Sequence, residues 1–220
     1  MARIASDVRE VRIDPEGLDG FLGVPPDAQG IVIFAHGSGS GRHSPRNNYV
    51  ATQLRKAGLA TFLLDLLTPS EEADRRNVFD IPLLASRLER ATRWVASAAD
   101  TAHLNPGYFG ASTGAAAALT AAADAGSPIG AVVSRGGRPD MALSVLSKVR
   151  APTLLLVGSL DGPVIDMNRQ AYDALSSKKS LIIVEGASHL FEEPGKLDEV
   201  VRHATEWFLT HLTDRVGTSG

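Results

Sequence analysis

Short runs dense in Val, Ile, Leu and Phe alternate along the 220-residue chain with longer stretches whose apolar residues recur every three or four positions. These are the marks of strands and of amphipathic helices. "VREVRID" and "GFLGVP", separated by "PEGLDG", predict an antiparallel pair. "GIVIFAHG" and "LATFLLD" are continuous apolar runs, as in strands buried on both faces, and between them a helix is expected from Pro45 to Ala57, stopped by Gly58. The polar, proline-flanked stretch "LLTPSEEADRRNVFDIP" reads as a surface loop. A helix is expected from Pro82 to Ala99, with Leu84, Leu88, Ala91, Val95 and Ala98 on one face. "PGYFG", "IGAVVS", "TLLLVG" and "SLIIVEG" complete the strands, the first three each followed by a helix. The closing helix, about Lys196 to His211, turns Leu197, Val200, Val201, Ala204, Trp207, Phe208 and Leu212 toward the core.

That order predicts an α/β fold with about eight strands, the first two antiparallel and the rest linked by helical crossovers. The result is a mostly parallel sheet with helices on both faces. No repeat, linker or low-complexity tract interrupts it, so residues 1–220 are expected to form a single domain. The one unassigned loop, about residues 68 to 80, leaves no room for a large cap domain.

Composition narrows the function. A net charge of −3 without blocks of like charge provides no basic field for nucleic acid. No apolar run is long enough for a membrane span, and the opening "MARIASDVREVRID" interleaves charges where a signal peptide needs an apolar stretch, so a cytoplasmic protein is expected. The absence of cysteine excludes disulfides, thiolate metal sites and a cysteine nucleophile.

In open parallel sheets ligands bind beyond the carboxyl ends of the strands, and the candidate chemistry lies there. After "PGYFG" comes Gly110-Ala111-Ser112-Thr113-Gly114. A strand turning straight into a helix strains its central residue, and small neighbours two positions away let strand and helix approach. Ser112 is therefore a candidate nucleophile; the alternative is a helix N-cap serine. A serine hydroxyl needs a general base and a group to orient it. Of six histidines, His189 in "ASHLFEEPG" follows the last strand, whereas His203 and His211 lie on the closing helix and His103 in a polar connection. Asp161 directly follows "TLLLVG" and is the preferred orienting acid; Asp140, read as a helix cap, and Asp166, inside a helix, are its rivals. The turn "AHGSGSG" offers backbone N–H groups for an oxyanion hole, one amide from Ser38 and one from Thr113, with His36 shaping the turn. A phosphate-binding loop would need a Lys-Ser/Thr ending that this turn lacks.

With these motifs the chain resembles the α/β-hydrolase superfamily and, within it, the small dienelactone hydrolase-like family. The resemblance runs over nearly the whole chain through "HGSGSG", "GASTG", "VGSLDGPV" and "GASHLFEEPG". "GSGSGRHSPRN" and "VSRGGRPD" are similar to a bacterial subgroup of that family, some members of which are fused to phosphoribosyltransferase domains. The resemblance implies the eight-stranded hydrolase fold with Ser112, Asp161 and His189 at the triad positions. The family's naming members carry cysteine where this chain has Ser112, which favours ordinary ester hydrolysis over dienelactone cleavage.

The expected activity is therefore hydrolysis of a small, short-acyl ester without metal or cofactor; oligomeric state cannot be read from the sequence. Arg42, His43, Arg46 and Arg135 follow strand ends and either bind an anionic substrate or brace long loops. The competing reading is a hydrolase-like binding or regulatory module for a small anionic metabolite.

Overall fold

The computed structural model describes residues 8–213; residues 1–7, part of the stretch read against a signal peptide, lie outside the described residues. The first elements are β1 (Val8–Ile13) and β2 (Leu18–Gly23), a hairpin closed two residues earlier than "GFLGVP" suggests. Then come β3 (Ile31–Ala35), α1 (Pro45–Lys56), β4 (Ala60–Leu64) and α2 (Pro69–Glu72). The second half holds α3 (Ile81–Ser97), β5 (Pro106–Ala111), α4 (Thr113–Ala122), β6 (Ala131–Arg135), β7 (Thr153–Gly158), α5 (Gly162–Ala174), β8 (Lys179–Val184) and α6 (Lys196–Leu212). The eight strands form one sheet in the order β1-β2-β4-β3-β5-β6-β7-β8, parallel from β4 to β8 and antiparallel at β1–β2 and β2–β4.

Both faces of the sheet are covered. Val50, Leu54, Val200, Phe208 and Leu212 of α1 and α6 pack with Val32, Phe34 and Phe109 on one side. Leu84, Leu88, Val95 and the alanines of α4 pack with Ile33, Phe62 and Tyr108 on the other. This explains the continuous apolar runs: alternate side chains of each central strand enter different cores. Helix starts follow from local chemistry. Ser44 caps α1 and Asp80 caps α3, each accepting an N–H bond from the third residue of its helix, with proline at N1 or N2. Among the described residues no helix is long and apolar enough to cross a membrane.

Two expectations need correction. "IGAVVS" is followed not by an α-helix but by two 3-10 turns, Pro139–Ala142 and Leu146–Lys148. Buried Pro139 and Ala142, then Leu146 and Val149, are three residues apart within each turn, which suits three residues per turn better than 3.6. The polar stretch after β4 also contains structure, because Thr68-Pro69-Ser70-Glu71 forms a capping box that starts α2. That signal was present in the sequence.

Arg87, only 10 % exposed at its side chain, anchors α2. Its guanidinium bridges Glu16 of the β1–β2 turn and Glu71 of α2, both at 2.6 Å. Burial alone would raise the Glu71 pKa, but hydrogen bonds from the Thr68 N–H and hydroxyl, together with Arg87, hold it below the usual glutamate value. Because the folded-state pKa is depressed, this contribution is present above the unfolded-state value and is lost as pH falls through the folded one. Arg87→Met leaves Glu71 without its cation, while Glu16 keeps Arg90 at 3.1 Å. The substitution is expected to lower unfolding stability by roughly 2–3 kcal/mol at pH 7, less than for a fully buried pair. Urea midpoints should show that deficit narrowing below pH 4; a deficit independent of pH would discount the carboxylates.

Candidate active site

The carboxyl ends of β3, β4, β5 and β6 and the loop after β8 meet around a cavity of about 710 Å³, lined by Ser38, His43, Arg46, Ser112, Arg135 and His189, among others. Ser112 joins β5 to α4 with φ 51° and ψ −124°, outside the regions open to most side chains. Its neighbours permit that turn. A Cβ on Gly110 would lie 2.5 Å from Ala115 Cα, and one on Gly114 would lie 2.1 Å from the Ala35 carbonyl oxygen. Although Ser112 occupies the N-cap position, its side chain makes no capping hydrogen bond. Its hydroxyl is left for the cavity.

Asp161 ends the turn after β7 and precedes α5, again without a side-chain capping bond. Its carboxylate, 13 % exposed, instead accepts from His189 Nδ1 at 2.6 Å, while His189 is 39 % exposed. A Nδ1–H donor leaves Nε2 as the imidazole's acceptor. Asp140 is not a helix cap: it lies within a 3-10 turn, and Arg138 donates to both its oxygens at 2.9 and 2.8 Å. Asp166 pairs with Arg169 on the surface of α5. No hydrogen bond joins Ser112 Oγ to His189. Such bonds are often long in the absence of substrate and tighten on binding.

The turn after β3 is held by His36, whose Nε2 accepts from the Leu66 N–H at 3.0 Å. Nδ1 therefore carries the proton and donates to the Gly37 carbonyl at 2.9 Å. His36 is thus occupied in tying this turn to the end of β4. Ser38 lies on the turn and lines the cavity, while Thr113 opens α4, where N–H groups have no helical acceptor. Thr113 and Ser38 also line a small adjoining cleft.

The four loop residues separate in space. Arg42 does not line the cavity; its guanidinium pairs with Asp65 and lies 3.8 Å from Asp19. His43 lines it and meets the Phe21 ring edge-on. Arg46 lines it too and binds Glu192 at 2.8 Å. Arg135 lines it at the end of β6. The sequence reading missed Leu67 and Glu72, which form cavity wall around α2. It also missed the turn after β6. Arg138 N–H donates to the Ser112 carbonyl at 3.0 Å, and Gly136, at φ 51°, packs so closely that a Cβ would lie 3.0 Å from the His189 carbonyl oxygen. Buried Asn168 of α5 donates to the Gly137 carbonyl at 3.1 Å. Only the paired glycines in "SRGGRP" hinted at this packing. Among the described residues no group of three or more His, Asp or Glu side chains is placed to hold a metal ion.

This chain matches a solved structure of a dienelactone hydrolase from Anabaena variabilis at 56 % identity and a TM-score of 0.89, over 93 % of this chain and 97 % of that one. It belongs to the dienelactone hydrolase family. The sheet order is accordingly that of the α/β-hydrolase fold, and no cap domain stands among the described residues. The esterase Est1E from Butyrivibrio proteoclasticus shares that fold at 15 % identity, with a TM-score of 0.78 over 91 % of this chain and 98 % of its own. A Mycobacterium tuberculosis protein provisionally named a phosphoribosyl transferase is 57 % identical over 203 residues. The match covers 92 % of this chain, which spans 46 % of that relative's length. No family model matches. The 56 % identity to that dienelactone hydrolase supports a hydrolase role for the matched region.

Proposed function

We propose that the chain is a serine hydrolase cleaving small carboxylic esters by two-step acyl transfer, with Ser112 as nucleophile, His189 as general base and Asp161 as its orienting group. One observation carries this reading: Ser112 sits on a strained strand–helix turn with no capping bond, in the same cavity as a histidine whose Nδ1 is held by a carboxylate.

In the first step Ser112 Oγ bonds to the ester carbonyl carbon while His189 Nε2 takes the hydroxyl proton. Asp161 stabilises the imidazolium without itself taking the proton. The Ser38 and Thr113 amides receive the negative charge that develops on the carbonyl oxygen; one such donor is typically worth about 100- to 1,000-fold in rate. The carbon–alkoxide bond breaks, and the alcohol leaves with the proton from His189. Water then adds to the acyl-enzyme with His189 again as base, releasing the acid and restoring Ser112. A site walled by strand ends, short loops, the start of α1 and α2 suits short acyl groups.

The missing Ser112–His189 hydrogen bond favours a second reading, a binding module without turnover. A fluorophosphonate probe decides between them: labelling at Ser112, with a p-nitrophenol burst from a short acyl ester, is expected. An unlabelled, inactive wild type would sink the hydrolase reading. We attribute the transferase name of the M. tuberculosis relative to the part of it outside the match.

A further inference from the structure

The buried face of α5 is interrupted by one polar residue. Val164, Asn168 and Ala171 follow one another at helical spacing and are the buried residues of that helix. Asn168 is 0 % exposed, and its Oδ1 has no hydrogen-bond partner among the described residues. A buried amide is unfavourable unless it is hydrogen-bonded. Leucine, with the same branching, would suit the face better, so packing alone gives no reason for asparagine.

The Asn168 amide reaches out of its own helix. Nδ2 donates to the Val164 carbonyl at 2.8 Å, one turn back, and to the Gly137 carbonyl at 3.1 Å in the turn after β6. That turn, residues 136–138, stands between two parts of the candidate site. On one side Arg138 N–H donates to the Ser112 carbonyl at 3.0 Å, and the same carbonyl accepts from Ala115 N–H at 3.1 Å. A Cβ on Gly137 would strike the Ala115 side chain. On the other side Gly136 lies behind the imidazole: a Cβ there would be 3.0 Å from the His189 carbonyl oxygen and 3.5 Å from Nδ1, the atom bound to Asp161. Gly136 N–H donates to the Leu156 carbonyl at 2.8 Å, which ties the turn to β7. Asp161 is the N-cap residue of α5, and the Val164 and Ile165 N–H groups donate to its carbonyl. One side-chain amide thus joins the helix that starts at Asp161 to the turn that abuts Ser112 and His189.

We propose that Asn168 is a positioning residue: by holding the Gly137 carbonyl it makes the turn 136–138 a fixed spacer, which sets the separation of Ser112 and His189 for proton transfer. Asn168 does not line the cavity and acts only through the Arg138 amide and Gly136. This rests on the serine-hydrolase reading of those two residues and adds a residue outside the cavity to it. Reacting groups must approach to about 3–3.5 Å, and a misplacement of about 1 Å can cost about 100-fold in rate.

The test is Asn168→Leu, which keeps the branching and removes the donor. On p-nitrophenyl acetate kcat is expected to fall by about 10- to 100-fold while KM changes by less than about threefold. Fluorophosphonate should still label one serine per chain, at a rate reduced in parallel with kcat. A merely structural role would lower the fraction of chains labelled and leave the rate of each labelled site as in wild type. That result, or a kcat within about twofold of wild type in folded Asn168→Leu, overturns the proposal.

Hydrogen exchange supplies a measurement that needs no turnover. In wild type the Gly136 and Arg138 amides should be protected, and in Asn168→Leu they should exchange about tenfold faster or more, together with the Phe191 amide of the His189 loop. A wild type that cleaves no ester and takes no label, yet shows this pattern, removes the ester reading and leaves the spacer. Wild-type turnover with kcat unchanged in the variant does the reverse. If Asn168→Leu does not fold, Asn168→Gln, which carries the amide on a longer stem, is read by the same split between kcat and KM. Gly136 and Arg138 amides that exchange in wild type as freely as an open loop overturn the proposal without any variant.

Discussion

Replacing Ser112 with alanine is expected to lower kcat on short acyl esters by up to about 10⁶-fold, the scale seen when a serine nucleophile is removed from an intact triad, and to abolish fluorophosphonate labelling. The fold should survive, because Ser112 is part-exposed and its side chain makes no capping bond. Its backbone predicts something further. At φ 51° and ψ −124° a residue with a Cβ is strained by about 1–3 kcal/mol, and glycine is not. Ser112→Gly should therefore be as inactive as Ser112→Ala yet unfold at a higher urea concentration. Equal midpoints for the two variants would mean that the turn stores no strain. Substantial turnover by either would remove Ser112 from the chemistry.

Asp161→Asn carries the second large effect, a loss of about 10⁴-fold in kcat. Asp161 accepts from His189 Nδ1–H at 2.6 Å. An asparagine amide at the same place can donate to Nδ1 instead, which moves the imidazole proton to Nε2 and leaves no acceptor for the serine proton. The rival carboxylates supply the control. Asp140 is held by both arms of the Arg138 guanidinium, and Asp166 lies on the exposed side of α5, so Asp140→Asn and Asp166→Asn should change kcat by only a few-fold. Steady-state rates and the rate of fluorophosphonate labelling of the three variants check this. A comparable loss in Asp140→Asn would reassign the acid.

Some of this architecture was legible in the chain because its physical cause is local. A strand buried on both faces is apolar at most positions, so β3, β4, β5, β6 and β7 announce themselves as runs. The glycines around Ser112 are required by contacts within five residues or with the adjacent strand, and they too stand in the sequence. Where the reading failed, the deciding contacts were distant. The segment after β6 forms two 3-10 turns that pack against α4 and α5 in place of the expected helix. α2 carried its own capping signal, but its place in the cavity wall depends on Arg87 reaching across to Glu71 and Glu16.

The arginines mark the division most clearly. Sequence alone placed Arg42, Arg46 and Arg135 after strand ends, because strand order and strand ends follow from short-range periodicity. Only the tertiary structure decided which of them carries uncompensated charge. Arg42 meets Asp65, 23 residues away, and Arg46 meets Glu192, 146 residues away, whereas Arg135 is buried beside Phe191 with no carboxylate partner among the described residues. Coulomb attraction and desolvation depend on distance and burial in space, quantities that chain position does not contain until the sheet has closed around the cavity.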